Sequence, residues 1–392
     1  MDKNEIVYRN KMLLDLMLSC SDKAVWKGNS DLYKKSLAEI EKADWFDRVD
    51  QVFIIGHGTS YATSNNAEAY LSHLGGLTSR AVTAFEFSRY IKDYMKYPER
   101  TLVIGISCGG NTKSVAMGLE AARESGAVTL CLSGIGNVRC AQAAEYRIIT
   151  DSAIEKRGEA SHPYSVSHLF LLQAAYELSI LIGRKTGRLA ELEASVWEGR
   201  LEKTLESLSI LPCLYSRMGE IVKILRKGGA KHHMVLGTGP NRGTMLEGVL
   251  KICEFDWCLG AGEELEDFAH GRFRELDQQT PLMIIAPDGP AISKTMDLLA
   301  GGAIAGSKSV ILTDAPNEAM RRLAAHIVEM PKLENEYLAP FVYIFAFWFY
   351  GYHVKADVGE LVGEARYGLY AVDIDFEAHF DAMGNKKNHL SS

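Results

Sequence analysis

The sequence predicts an α/β fold with two tandem domains, each a parallel sheet flanked by helices in a flavodoxin-like three-layer sandwich. One observation behind this prediction is that short, continuously apolar strands alternate with helical segments, which is typical of parallel sheets covered on both faces. Another is that the same order of strand, glycine-containing turn and helix occurs twice. A length of 392 residues accommodates two such domains.

The N-terminal copy contains the clearest strands. Val52–Ile55 is apolar and ends in the turn Gly56-His57-Gly58-Thr59-Ser60, after which a helix is expected. Leu102–Ile106 is a second apolar run, and it ends in Ser107-Cys108-Gly109-Gly110-Asn111-Thr112 before another helix. The strands predicted here cover residues 52–55, 102–106, 127–132 and 146–150, and the helices about 61–74 and 113–124.

The C-terminal copy repeats this order at a nearly constant offset, which indicates an internal duplication with a period far too long for a solenoid. The matched landmarks are Gly56 and Gly237 (181 residues apart), Leu102 and Leu282 (180), and Val128 and Val310 (182). The strands predicted here cover residues 234–236, 282–285 and 310–312, with helices that end near residues 254 and 299.

Segments outside the two copies differ in pattern. Residues before 49 show helical spacing of leucines among charges, and a charged helical stretch joins the copies. The predicted division is an N-terminal helical segment (1–48), a first domain (49–190), a helical connection (191–231), a second domain (232–350) and a C-terminal tail (351–392).

Composition restricts the class of protein. Apolar residues make up 47% of the chain, which excludes disorder of the whole, and a net charge of −7 argues against a nucleic-acid partner. Seven cysteines without a CxxC pair indicate a reducing cytoplasm, and the segment MDKNEIVYRN lacks the apolar core of a signal peptide. Leu338–Val354 has no charged residue, but it is shorter than the roughly 20 residues of a membrane helix. We interpret it as a buried helix or an oligomer contact and expect no membrane partner.

Two loops of the first copy are suited to a phosphate dianion. They follow strands at the edge of the sheet where α/β proteins bind ligands, and they offer hydroxyls and backbone N–H groups at helix N-termini. The alternative is that these residues serve only as helix caps and tight turns, which select the same residue types. The predicted phosphate ligands are Ser60, Ser107, Gly109 and Thr112, with Gly58 and Thr59 as further substrate contacts.

No cofactor or metal site is predicted. The chain has no GxxxxGK[ST] motif, and Tyr61 stands where a dinucleotide fingerprint would place its third glycine after Gly56 and Gly58. The pair His232-His233 has no carboxylate partner at a spacing suited to a metal.

Four motifs occur in order along the chain, namely GTSY at Gly58–Tyr61, SxSGxT at Ser107–Thr112, EGxLKxxE at Glu247–Glu254 and ExxHG at Asp267–Gly271. Together they resemble the sugar isomerase (SIS) domain family. More narrowly, they resemble double-SIS proteins related to the isomerase half of glucosamine-6-phosphate synthase and to fructosamine-6-phosphate deglycases. The resemblance covers about residues 45–350 and implies phosphosugar chemistry.

The sequence departs from the family pattern at several points. Gly109 replaces a serine of the phosphate loop, and Asp267 replaces a glutamate. Ala382 stands near the position of the synthase's C-terminal lysine, and no glutaminase domain precedes the first copy. We therefore expect no glutaminase activity.

The resemblance assigns the catalytic roles. Glu254 would move a proton between C1 and C2 of an open-chain sugar 6-phosphate, and His270 would open the ring. Lys251 would offset negative charge, and Glu247 would orient Lys251 or a hydroxyl. From spacing alone, residues 247, 251 and 254 share one helix face, which is also typical of a solvated ion-pair surface.

The resemblance also implies a homodimer or higher homo-oligomer, in which His270 reaches the neighbouring subunit's site. Ser161 matches a substrate loop of the family, although a capping role for it is equally open. The function favoured is a deglycase that cleaves a fructosamine 6-phosphate to an aldose 6-phosphate and a free amine. An amino-sugar 6-phosphate isomerase or deaminase and a non-catalytic phosphosugar sensor are the alternatives.

Overall fold

The computed structural model describes residues 2–152, 165–227, 229–230 and 232–364. The first half of the chain supplies five strands, β1 (Gln51–Gly56), β2 (Thr78–Thr83), β3 (Thr101–Ser107), β4 (Val128–Ser133) and β5 (Tyr146–Ile149). All neighbouring strands are parallel, in the order β2-β1-β3-β4-β5. The helices of this half are α1 (Lys3–Ser19), α2 (Lys23–Ile40), α3 (Thr59–His73), α4 (Ala84–Arg89), α5 (Ile91–Tyr94), α6 (Lys113–Glu124), α7 (Arg139–Ala143) and α8 (Val166–Lys185).

The second half supplies another parallel sheet, made of β6 (His232–Leu236), β7 (Leu259–Glu263), β8 (Leu282–Ile285), β9 (Val310–Thr313) and β10 (His326–Glu329). Its order is β10-β9-β8-β6-β7. When it is read from the other end and the strands are counted within each half, both sheets have the strand order 2-1-3-4-5. The α/β prediction with an internal duplication is therefore confirmed. The remaining helices are α9 (Glu191–Glu206), α10 (Leu211–Lys227), α11 (Arg242–Asp256), α12 (Leu265–Ala269), α13 (Ile292–Ala305), α14 (Glu318–Leu323) and α15 (Pro340–Ala356).

Three strands of these sheets were not predicted, and all three lie at sheet edges. They are β2, β7 and β10, whose residues are largely exposed or half-buried. An edge strand is covered on fewer sides, so it does not need the continuous apolar run that marks β1 or β3. For that reason the periodicity of the sequence gives no signal at these positions.

The second glycine of the G-x-G turn has a positive φ in both copies. Gly58 has φ +53° and Gly239 has φ +56°, a region in which side chains are strained. A Cβ on Gly56 would lie 2.8 Å from the Ser60 carbonyl carbon, and one on Gly237 would lie 3.0 Å from the Asn241 carbonyl oxygen. The G-x-G spacing is thus required by the strand-to-helix turn itself, whether or not a ligand binds there.

Helices α3 and α11 bring the two halves together. A Cβ on Gly243 of α11 would collide with the Ala62 carbonyl oxygen of α3, so glycine permits the close approach. Across the same contact, Asn66 Nδ2 donates to the Pro240 carbonyl oxygen at 2.7 Å. This packing decides which side chains of the second half face the loops of the first.

The apolar stretch at residues 338–354 forms most of α15, which lies in the protein core. Phe341, Phe345 and Trp348 are fully buried. Gly248 of α11 faces the Phe347 ring, and a Cβ there would lie 2.8 Å from it. Among the described residues, one helix, α8, has the length and apolar composition to cross a membrane. Of its most apolar stretch, 89% is buried inside the protein.

Candidate active site

The candidate site begins at the carboxyl ends of β1 and β3, which are neighbours in the first sheet. Helix α3 packs on the face of β1 that carries Val52 and Ile54, whereas α6 packs on the face that carries Phe53 and Ile55. The two helices therefore leave the sheet on opposite sides. Such a switch point opens a crevice, and ligands of α/β proteins bind there.

The two loops at this crevice contact each other. His57, after β1, places Nε2 2.9 Å from Ser114 Oγ in the first turn of α6. In the loop after β3, Ser107 Oγ lies 3.0 Å from Thr112 Oγ1. The structure thus brings Ser107 and Thr112 together, and Ser60 lies in the first turn of α3 on the neighbouring strand's loop.

The glycine that this loop requires is Gly110 rather than Gly109. Gly110 has φ +70°, and a Cβ there would collide with the Val138 side chain. Gly109 is half-buried in the turn beside it. The sequence prediction placed a phosphate contact at Gly109, whereas the strict backbone requirement falls on the next residue.

Helix α11 brings Lys251 to the loop after β1, with Glu247 and Glu254 beside it. Lys251 Nζ lies 2.6 Å from Glu254 Oε2 and 3.3 Å from Glu247 Oε1. It also donates to Thr59 Oγ1 at 3.0 Å. The side chains of Lys251 and Glu247 are 0% exposed, and that of Glu254 is 43% exposed. These residues are not a solvated helix surface, which was the alternative that their spacing left open.

Burial changes the proton affinities of this cluster. Burial raises the pKa of Glu247 to about 7, although the charge of Lys251 acts in the opposite direction. For Lys251, burial alone lowers the pKa, but the carboxylates of Glu247 and Glu254 more than offset this effect and the pKa is raised. Lys251 therefore carries its positive charge at neutral pH.

Two further predicted residues have structural contacts in addition to any ligand role. Thr59 accepts the hydrogen bond from Lys251, so its hydroxyl links the two halves. Gly58 precedes the first residue of α3 and provides the turn with its positive φ.

His270 lies apart from this cluster. It follows α12, its side chain is 73% exposed, and its Nε2 lies 3.1 Å from Glu266 Oε1. Glu266 in turn pairs with Lys294 at 2.6 Å. The contact between His270 and Glu266 therefore lies on the surface of the second half. Ser161 and Ala382 lie outside the described residues.

A comparison with protein-family models matches residues 46–178 to the SIS domain. The chain contains a SIS domain. The match covers the first sheet, both loops of the crevice and most of α8, and it confirms the resemblance on which the sequence analysis relied.

Curated relatives match the SIS region and continue through the second half. The glutamine–fructose-6-phosphate aminotransferase (isomerizing) of Aquifex aeolicus is 24% identical over 317 residues, which are 81% of this chain and 50% of that protein. The protein of the same name from Pseudomonas putida is 27% identical over 335 residues, which are 83% of this chain and 52% of that one. The chain spans about half the length of these relatives.

Solved structures superpose on most of the chain, including both halves. The C-terminal domain of glucosamine-fructose-6-phosphate aminotransferase from Francisella tularensis has a TM-score of 0.72 at 16% identity and covers 85% of this chain and 94% of that one. The tagatose-6-phosphate ketose/aldose isomerase from Escherichia coli has a TM-score of 0.68 at 14% identity, with 87% and 91% covered. The fold is that of two tandem SIS domains.

Sequence reasoning missed two residues behind the SIS crevice, Thr63 and His168. Thr63 Oγ1 lies 2.9 Å from His168 Nδ1, and both side chains are fully buried. His168 lies in the first turn of α8, 105 residues from Thr63 along the chain. The sequence carries no local signal for such a pair, because helix packing alone brings the two side chains together.

Proposed function

We propose that this chain processes a sugar 6-phosphate by moving a proton between C1 and C2 of the open-chain sugar. The observation that carries the proposal is the buried ammonium of Lys251, which pairs with Glu247 and Glu254 and donates to Thr59 beside the loop after β1. Support comes from the names of proteins to which the chain is similar. One is a glutamine–fructose-6-phosphate aminotransferase (isomerizing), and another is a tagatose-6-phosphate ketose/aldose isomerase.

The phosphate would bind between the loops after β1 and β3. Ser60, Ser107 and Thr112 provide hydroxyls there, and α6 begins at Lys113 with its N-terminus toward the loop. The first-turn amides of a helix have no intrahelical partner and attract anions. With the phosphate bound there, C1 and C2 of the sugar would extend toward α11.

The exposure of the two carboxylates separates their proposed roles. Glu254 is partly exposed, so its carboxylate can reach a ligand and act as the general base that removes a proton from one carbon and returns it to the other. Negative charge that develops on the sugar oxygen is offset by Lys251. Glu247 is fully buried and acts through Lys251, which makes it a positioning residue.

Ring opening is assigned to His270 acting in a second copy of the chain. Its side chain is exposed and carries a second-half carboxylate, Glu266, as its hydrogen-bond partner. An exposed imidazole can act as a general acid toward the ring oxygen of a sugar. Because His270 would act in a second copy, the proposal includes a homo-oligomer.

Within this reaction class we favour a deglycase. Glu254 would remove a proton from C1 of a fructosamine 6-phosphate and leave an enaminol, and a proton returned to C2 would give the C1 imine. Water would then add to C1 and release the amine, with an aldose 6-phosphate as the second product. An amino-sugar 6-phosphate isomerase or deaminase uses the same base, and a phosphosugar sensor would bind without turnover.

The first test measures proton exchange, because it does not depend on the attached amine. Fructose 6-phosphate is incubated with the protein in D2O, and deuterium at C1 and C2 is followed by NMR. We expect exchange by the wild type and a loss of about 1,000-fold or more for Glu254→Gln, since the base is removed. Glu318→Gln is the matched control, because Glu318 forms an i,i+4 ion pair with Arg322 on the surface. Equal exchange by Glu254→Gln and the wild type would reject Glu254 as the base.

A second assay separates the reactions within the class. A panel of fructosamine 6-phosphates and glucosamine 6-phosphate is offered, while glucose 6-phosphate, free amine and ammonia are measured. Glucose 6-phosphate together with free amino acid supports the deglycase. Ammonia from glucosamine 6-phosphate alone replaces the deglycase with the deaminase. Tight ligand binding without exchange or product identifies the sensor.

A further inference from the structure

His168 occupies a position where its hydrogen bonding is fixed by its neighbours. Its Nδ1 lies 2.9 Å from Thr63 Oγ1, and that hydroxyl donates to the Thr59 carbonyl oxygen at 3.0 Å. A hydroxyl has one proton, and Thr63 uses it on Thr59. Nδ1 of His168 must therefore carry the proton in its bond to Thr63, and Nε2 carries the lone pair.

The imidazole is also kept neutral. His168 is fully buried, and burial together with the nearby charge of Lys251 lowers its pKa to about 3. The ring is consequently a donor to Thr63 over the whole physiological pH range. It does not add a second positive charge that would compete with Lys251 for the carboxylates of Glu247 and Glu254.

Stability alone does not account for a histidine here. Nε2 of His168 has no hydrogen-bond partner among the described residues, and the ring lies edge-on to Trp348 with centroids 6.5 Å apart. A buried acceptor without a partner carries a free-energy cost, which an apolar side chain of similar size would avoid. The polar contact to Thr63 is what the histidine provides.

This contact leads directly to the catalytic cluster. Thr63 binds the carbonyl group of Thr59, and the hydroxyl group of the same Thr59 receives the hydrogen bond from Lys251 Nζ at 3.0 Å. We propose that His168 and Thr63 are positioning residues that hold Thr59, and through it the ammonium of Lys251, in the geometry the reaction needs. The inference rests on the proposed function and adds two residues to its machinery.

The test is a double-mutant cycle with Thr63→Val, His168→Leu and the combined variant, assayed for deuterium exchange into fructose 6-phosphate. Each single variant should lower kcat by about 10- to 100-fold with KM changed less than about threefold, as expected for a lost buried hydrogen bond. The double variant should be no slower than the worse single one, because both changes break one chain of contacts. Thr63→Ser retains the hydroxyl and should restore most of the rate.

Thr204→Val is the matched control. Thr204 is a buried threonine in α9 whose hydroxyl donates to the carbonyl of Arg200 at 2.8 Å, four residues earlier, as Thr63 does to Thr59. Its replacement removes the same kind of bond far from the site and should leave kcat unchanged. Lower melting temperatures for Thr63→Val and His168→Leu with a wild-type kcat would show a purely structural role and overturn the proposal.

A measurement without substrate separates this inference from the proposed function. The ammonium signal of Lys251 is recorded by NMR on lysine-labelled protein and assigned by its loss in Lys251→Arg. We expect it to shift or exchange faster in Thr63→Val and His168→Leu, but not in Thr204→Val. An unchanged signal would reject the positioning role. If the wild type does not turn over fructose 6-phosphate, this signal alone decides the inference, and the proposed function fails separately.

Discussion

At the scale of single residues, the buried cluster around Lys251 is the feature that most needs an explanation. Removing charged groups from water costs more than their pairing usually returns, so a buried ion pair is weak evidence of a role in stability. Here one ammonium serves two carboxylates, and one of these, Glu254, reaches the surface. This combination is suited to a reaction in which charge moves between groups.

Glu247 gives a pH-dependent prediction. Its pKa is raised to about 7 by burial, so the folded protein holds this proton more tightly than the unfolded chain does. That contribution to stability is complete below the unfolded value and is lost as the pH rises through about 7. We expect the melting temperature of Glu247→Gln relative to the wild type to rise by a few degrees between about pH 5 and about pH 8.

Differential scanning calorimetry across this pH range checks the expectation. Glu318→Gln, a change at an exposed carboxylate, should follow the wild-type curve. Parallel curves for Glu247→Gln and the wild type would mean that Glu247 does not take up a proton on folding.

At the scale of elements, glycines set how closely the helices around the site approach. Gly243 allows α11 to contact α3, and Gly248 and Gly351 allow α11 to contact α15. The hydrogen bond from Lys251 to Thr59 spans the first of these contacts. The site therefore depends on helix positions that larger residues would not permit.

Gly243→Ala should destabilise the protein although alanine favours helices. Helix propensity contributes about 1 kcal/mol in favour of alanine, whereas overpacking against a backbone oxygen costs about 1–3 kcal/mol. Gly199→Ala in α9 is the matched control, since a Cβ there meets no atom within 4 Å, and it should gain about 1 kcal/mol. Urea unfolding measures both changes. A stabilised Gly243→Ala would mean that α3 and α11 are not in tight contact.

At the scale of the whole molecule, the two halves share a fold but differ in the residues that stand where α11 carries its charged cluster. The offset of 181 residues pairs each of the three clustered residues of α11, Glu247, Lys251 and Glu254, with a residue of α3 that lacks its chemistry. Tyr70 is fully buried, and the His73 ring stacks on Tyr337 with centroids 4.2 Å apart. The pairs are Glu247 with Asn66, Lys251 with Tyr70, and Glu254 with His73.

We therefore expect one hexose 6-phosphate to bind per chain. Titration calorimetry with fructose 6-phosphate on Glu254→Gln, which should bind without turnover, measures the stoichiometry. Lys251→Met should weaken binding about tenfold or more, since a charge contact is lost. Lys332→Met is the control, because Lys332 pairs with Asp288 in the loop after β8, the counterpart of the loop after β3. Two equivalents bound per chain would contradict this account.

The sequence by itself determined the parallel α/β architecture, the duplication, both G-x-G turns and the shared helix face of residues 247, 251 and 254. These features follow from local periods and from backbone constraints within a few residues. Three of the edge strands, β2, β7 and β10, were not predicted because they lack a continuous apolar run.

Only the tertiary structure decided which residues meet. Thr59 and Lys251 are 192 residues apart, and His168 is 105 residues from Thr63. The packing of α3 against α11 and α8 makes these pairs, and it also determines that Glu247 is buried and Glu254 accessible. Such contacts depend on the positions of whole helices, which no local pattern encodes. The spacing of residues 247, 251 and 254 was therefore enough to predict a candidate site. The burial of these residues, their proton affinities and the position of His168 are determined by the tertiary structure.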